Sequence, residues 1–285
     1  MMKVIQWYPG HMAKAKREVL EALDKIDLVI ELRDARIPIA SKNPLIDDII
    51  KNKPRLVLLC KACLADPKVT AKWINYLNSE NTIALDIDSI EMYNMKRIIP
   101  YANKVLEPLF KKRAEKGISS KQIKAMIVGI PNVGKSTLIN VLAKRKSLPV
   151  GDKPGVTKAQ AWLKVTDDFM LLDTPGILWP KFEDQMTGVK LAICGAIKEE
   201  ILDMHEIAKV ALQIVKDQYP KAIFDRYNIE NANEIEVLDL LEQIGRRRGA
   251  ITKGNVVDID RSIDIFITDL QKGRLGRISY EYPEI

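Results

Sequence analysis

Short apolar runs, each closed by polar or turn-forming residues, recur through the first part of the chain. They predict strands at 27–32, 54–60, 82–87, 125–128, 160–165 and 169–172. Between them, apolar residues fall at helical spacing over about 12–25, 43–52, 67–79, 94–124 and 137–142. Strands that alternate with helices imply a mostly parallel sheet with helices on both faces, because parallel strands need crossover connections. From about residue 183 the strand pattern stops. Helices are predicted at 185–198, 203–217, 220–227, 233–245 and 258–272, with apolar stripes such as Leu238, Leu241 and Ile244, and Ile259, Ile263, Phe266, Ile267 and Leu270. The division expected is an α/β domain over 1–182, opened by a mobile segment of about 1–16, and a small all-α domain over 183–285.

The most informative stretch lies between the predicted strand at 125–128 and the helix at 137–142. It reads Gly129-Ile130-Pro131-Asn132-Val133-Gly134-Lys135-Ser136-Thr137, the spacing of a phosphate-binding P-loop in its required strand–loop–helix setting. Glycines let the backbone approach phosphate oxygens, and successive N–H groups at the helix start face the anion. The run from Asn132 through Val133, Gly134, Lys135 and Ser136 to Thr137 would line the phosphates. Lys135 would reach the β- and γ-phosphates, and the Ser136 hydroxyl would ligate Mg²⁺.

Two downstream elements complete such a site. The strand at 169–172 delivers Asp173-Thr174-Pro175-Gly176, whose carboxylate can hold the Mg²⁺ shell and whose Gly176 N–H can contact the γ-phosphate. Thr157, in the loop Lys153-Pro154-Gly155-Val156-Thr157, can add a hydroxyl to Mg²⁺ when triphosphate is bound. The three motifs in this order predict a nucleoside triphosphatase of the switch type. Base-reading elements ordinarily follow the Asp-x-x-Gly motif. Here the candidates precede the P-loop, at the strand ends Cys60-Lys61-Ala62-Cys63 and Asp88-Ser89.

Charge alters this picture by adding a polyanionic partner. Residues 1–180 carry 30 Lys and Arg against 19 Asp and Glu, a surplus of +11, whereas 181–285 carry 15 against 19, a balance of −4. Within the acidic part, Gly245-Arg246-Arg247-Arg248-Gly249 is a basic knot between two predicted helices, readable as an RNA contact or as a solvated turn. Lys14, Lys16 and Arg17 are further RNA-contact candidates, and the basic end of the 94–124 segment is open to both readings. No run of about 18 apolar residues is present, so no membrane span is expected. The N-terminus lacks a signal-peptide pattern, which makes a cytoplasmic location the default. Three cysteines do not form a disulfide framework. Cys60-x-x-Cys63 alone is compatible with a metal or redox site, but a zinc site would need two more ligands.

The motif order resembles the circularly permuted GTPases. Trp7-Tyr8-Pro9-Gly10-His11-Met12-Ala13-Lys14, Asp34-Ala35-Arg36-Ile37-Pro38, the P-loop, the Thr157 loop and 172–182 resemble the ribosome biogenesis GTPase A family, the YlqF type. The resemblance extends over nearly the whole chain, including Gly195-Ala196-Ile197-Lys198 and Tyr227-Asn228-Ile229-Glu230. It implies a GTP- and GDP-binding enzyme acting late in assembly of the bacterial large (50S) ribosomal subunit, stimulated by that subunit and by K⁺. Its partners would be the subunit precursor, through rRNA and ribosomal proteins, and it would be monomeric off the ribosome. By the same resemblance, Asn132 would coordinate K⁺. His11 would take the catalytic place of a water-orienting glutamine, where this chain has Ile177. The C-terminal helices would hold rRNA.

The chain departs from the family at the base-reading motif. Asn-Lys-x-Asp is expected, but cysteines stand at both outer positions, Cys60 and Cys63. A neutral thiol is a weak partner for the guanine N–H groups that the family aspartate accepts. Triphosphate binding is expected to survive with weaker preference for GTP. The competing expectations are an RNA- or ribosome-binding factor with weak or base-unspecific turnover, and a general ATPase with relaxed base choice.

Overall fold

The computed structural model describes residue 17 and residues 20–44, 50, 53–143, 161–173, 184–197 and 203–284. The described residues form two compact units. One holds the sheet together with Glu281–Glu284, and the other runs from Asp184 to Tyr280.

The sheet unit contains β1 (Leu28–Asp34), β2 (Arg55–Cys60), β3 (Thr82–Asp86), β4 (Ile123–Gly129), β5 (Ala161–Thr166) and β6 (Phe169–Asp173). Around them are α1 (Pro67–Leu77), α2 (Ile98–Val105), α3 (Glu107–Glu115) and α4 (Lys135–Leu142). Spatial order is β3-β2-β1-β4-β6-β5, with β5 antiparallel to β6 and every other pairing parallel. β1 is central and every one of its residues is buried, as a strand covered on both faces must be. Its polar residues are accommodated by pairing. Glu31 accepts from Arg33 Nε at 2.8 Å and Arg55 Nη1 at 3.1 Å. Apolar packing continues through Val29, Met126, Val128 and Leu172 on one side, and through Val57, Leu59, Ala84 and Trp73 of α1 on the other.

The order supports a permuted domain. The P-loop strand β4 lies in the middle, flanked by the later β6 and the earlier β1, so the strands carrying the candidate base-reading turns come first in sequence but sit beyond β1. The outer edge of β3 is closed locally: Thr82 exchanges hydrogen bonds with Ser79, Asn78 Oδ1 accepts from Ala84 N at 2.8 Å, and Asn94 Nδ2 donates to the Asp86 carbonyl at 3.0 Å. Side-chain plugs of this kind stop an edge strand from recruiting another strand.

The second unit contains α5 (Gln185–Ile193), α6 (Met204–Gln218), α7 (Pro220–Tyr227), α8 (Val237–Arg248) and α9 (Ile259–Gln271). Asp184, Asp203 and Asp258 cap α5, α6 and α9 by accepting backbone N–H groups of the first turn. Asp269 of α9 gathers Arg226 Nε at 2.7 Å, Arg274 Nη1 at 3.0 Å and the Tyr227 hydroxyl at 3.2 Å, which fixes α7 and the chain after α9 on one carboxylate.

Two expected elements are corrected. The 94–124 segment is not one helix: it breaks at Leu106, α3 ends at Glu115, and Gly117 at φ 74° turns the chain away. The expected helix at 233–245 begins at Val237 and continues to Arg248. Its start is delayed by a 3-10 turn at Ala232–Glu234 and an extended Ile235. Arg246, Arg247 and Arg248 are therefore the last turn of α8, ended by Gly249 at φ 73°, not a knot between helices.

Candidate nucleotide site

Parallel strands bring their C-terminal ends to one edge of the sheet, and ligands bind where the crossover direction reverses, here between β1 and β4. The P-loop leaves β4 at that point. A Cβ on Gly129 would lie 3.0 Å from Leu32 Cβ and 3.1 Å from the Leu32 carbonyl, so the start of the loop packs against β1 too closely for a side chain. Asn132 at φ 57° and Gly134 at φ 105° are left-handed, which turns successive amides toward one side of the loop. α4 begins at Lys135, which is buried, and Ser136 and Thr137 follow in its first turn. Val133 is buried beside Gly129. This is an anion cradle made by backbone and one helix start.

The candidate base end of the site is the turn after β2. Cys60 closes the strand in register with Asp34 of β1. The Cys60 carbonyl accepts from Ala35 N at 2.8 Å, and Ala62 N donates to the Ile87 carbonyl at 3.0 Å. The structure thus brings Cys60, Lys61, Ala62 and Cys63 beside the end of β3, where Asp88 and Ser89 lie. Asp88 is buried, and its Oδ1 accepts from Ile90 N at 2.9 Å and Glu91 N at 3.1 Å, which shapes the loop after β3.

Cys60 is 4% exposed, and its thiol lies 3.6 Å from the Leu58 carbonyl. Burial first, then the Asp34 carboxylate, pushes its pKa far above the usual thiol range, so it stays a neutral thiol. Cys60, Cys63 and Cys194 are not joined in a disulfide. Among the described residues no group of three or more His, Cys, Asp or Glu could hold a metal ion.

One set of residues was missed as a site by sequence reasoning. Asp34 is 2% exposed and accepts from Arg36 N at 3.1 Å, Arg36 Nε at 2.9 Å and Arg36 Nη2 at 2.8 Å. Lys61 Nζ lies 3.2 Å from Asp34 Oδ2. Arg36 and Lys61 hold the Asp34 carboxyl far below the usual carboxylate range in spite of its burial. The available signal was a pair of opposite charges directly after a buried strand.

Other expected residues are placed as follows. Asp173 closes β6 in register with Ile127, two residues before Gly129, which puts its backbone next to the P-loop strand. Its side chain, His11, Lys14, Lys16, Thr157 and Gly176 lie outside the described residues. Arg17 is exposed and lies 3.5 Å from Glu21. Arg246, Arg247 and Arg248 are exposed, with Arg246 paired to Glu242 at 2.8 Å.

The family model described as "50S ribosome-binding GTPase" matches residues 124–248. Ribosome biogenesis GTPase A of Bacillus cereus is 48% identical over 281 residues, covering 99% of this chain and 95% of that protein. Its counterpart in Thermotoga maritima is 32% identical, covering 98% and 95%. Among solved structures, GDP-bound YlqF superposes with a TM-score of 0.66 at 28% identity, covering 94% of this chain and 100% of the other. GNP-bound YlqF from T. maritima gives 0.63 over 95% and 99%. With relatives matched from end to end and a phosphate-binding loop on the central strand of the permuted sheet, this chain belongs to the ribosome biogenesis GTPase A family and is a P-loop GTPase.

Proposed function

We propose that the protein is a GTP-hydrolysing factor in late maturation of the bacterial large ribosomal subunit, binding the subunit precursor through rRNA and activated by it. The observation that carries the reading is the P-loop cradle at the β4–α4 junction, joined to relatives named for ribosome biogenesis over their whole length. Ser136, Thr157 and Asp173 supply hard oxygen donors of the kind Mg²⁺ takes, and the ion supplies charge neutralisation at the phosphates when bound. Asn132, in its left-handed turn, offers a further oxygen donor suited to K⁺. Lys135 holds phosphate charge from the start of α4. His11 is the candidate that orients the attacking water. Arg246, Arg247 and Arg248 at the end of α8, with Lys14, Lys16 and Arg17, are the candidate phosphate-backbone contacts; the arginines also complement the helix C-terminus. No described helix is long and apolar enough to cross a membrane, and a cytoplasmic monomer that joins the ribosomal particle fits this role.

Co-sedimentation with purified large subunits tests the proposal. Retention with a non-hydrolysable GTP analogue, release with GDP, and loss on Arg246→Glu/Arg247→Glu/Arg248→Glu are expected. Equal sedimentation in both nucleotide states would contradict it. A second reading, ribosome binding with base-unspecific turnover, is favoured by one observation: both outer positions of the 60–63 turn are thiols, and Cys60 is locked neutral by burial.

A further inference from the structure

The turn 60–63 has lost the side chains that would read a base by hydrogen bonds, yet it retains Lys61, and Lys61 is held in an unusual way. Its backbone is left-handed at φ 56°, a conformation that costs a non-glycine residue about 1–2 kcal/mol. Its ammonium is tied at 3.2 Å to a carboxylate that is itself held by several other groups. Arg36 binds both oxygens of that carboxylate, the Asp34 N–H donates to Ser41 Oγ at 2.9 Å, and Ala35 N ties the end of β1 to Cys60. The Lys61 side chain is 27% exposed while that of Asp34 is 3% exposed. The charged end is therefore anchored on a buried carboxylate, while the side chain as a whole stays partly exposed.

We propose that Asp34 is a positioning residue for the nucleotide base: by gripping the Lys61 ammonium it fixes the Lys61 stem as the platform on which a purine lies. The inference rests on reading 60–63 as the base end of the site. An aliphatic platform does not discriminate between purines, so the contribution of Asp34 is shared by GTP and ATP and absent for a ligand without a base. Arg36 supplies the countercharge that keeps Asp34 ionised and oriented whether or not Lys61 is present.

The test is displacement of a fluorescently labelled GDP by GTP, ATP and inorganic triphosphate in Mg²⁺, on the full chain and on Asp34→Asn, Lys61→Met and the double variant. Asp34→Asn is expected to weaken GTP and ATP alike by about tenfold, the scale of one charge-assisted contact, with inorganic triphosphate changed by less than about twofold. Lys61→Met should match it, and the double variant should be no weaker than either single one, because both remove the same contact. A ratio of GTP to triphosphate affinity that Asp34→Asn leaves unchanged, or a parallel loss for all three ligands, overturns the proposal and leaves the nucleotide site standing. If Asp34→Asn does not fold, Lys61→Met decides, since it keeps the Asp34–Arg36 pair: an unchanged ratio there overturns the proposal. A full chain that binds neither GTP nor triphosphate removes the nucleotide reading and this inference together.

Discussion

Three residues would set the chemistry of the base end on the proposed reading of 60–63. Cys63, at the position of the family aspartate, would leave guanine's N–H groups without a strong acceptor, each unpaired group costing about 1–3 kcal/mol. Restoring the family motif as Cys60→Asn/Cys63→Asp is expected to raise the preference for GTP over ATP by roughly two orders of magnitude, read by nucleotide competition. Strong GTP preference in the unmodified protein would instead locate guanine reading in the backbone and at Asp88-Ser89. Asp34 has a second, structural consequence. Arg36 is 2% exposed, so Asp34→Ala leaves a buried guanidinium without its carboxylate. A loss of about 3–5 kcal/mol is expected in denaturant unfolding. Asp34→Asn, which keeps an acceptor, should lose clearly less.

At the level of elements, α8 and α9 meet through a glycine. A Cβ on Gly245 would lie 2.1 Å from Ser262 Oγ and 2.7 Å from Val257 Cγ1. Gly245→Ala is therefore expected to cost about 1–3 kcal/mol by overpacking, seen as a lower melting temperature of the helical unit. Ser262→Ala in the same chain should recover part of it. The sequence showed Gly245 as one border of a basic cluster, because the Ile235 turn that delays α8 leaves no clear mark in the hydrophobic pattern. Strands were legible since β1, β2 and β4 are buried over most of their length and carry apolar runs, 28–30, 56–59 and 125–128. The P-loop was legible because its backbone conformation restricts residue type at Gly129 and Gly134. The end of α3 was readable in principle from Gly117. The grip of Glu281 was not: its carboxylate accepts from Ile39 N at 2.6 Å and Ala40 N at 3.1 Å, and its carbonyl accepts from Trp73 Nε1 at 3.0 Å, across a separation that no local pattern encodes.

Across the whole molecule, each unit has a buried carboxylate whose pKa is depressed against the opposing effect of burial: Asp34 by Arg36 and Lys61, and Asp269 by hydrogen bonds from Arg226, Arg274 and the Tyr227 hydroxyl and by the Arg226 charge. A depressed folded-state pKa gives stability that is fully present above the unfolded value of about 3.9 and is lost as pH falls toward the folded value. Melting temperature should therefore fall below about pH 4, with Asp269→Asn flattening that fall in the helical unit and Asp34→Asn in the sheet unit. Slopes unchanged by both substitutions would contradict the assignment. The permuted order also places the switch strand β6 directly before the helical unit in sequence, so nucleotide state and ribosome binding are expected to act on one another. The most direct test is single-turnover GTP hydrolysis in K⁺ and Mg²⁺ with and without purified large ribosomal subunits. The account predicts that subunits accelerate hydrolysis and that Lys135→Ala abolishes it. A turnover rate indifferent to the subunits would contradict it.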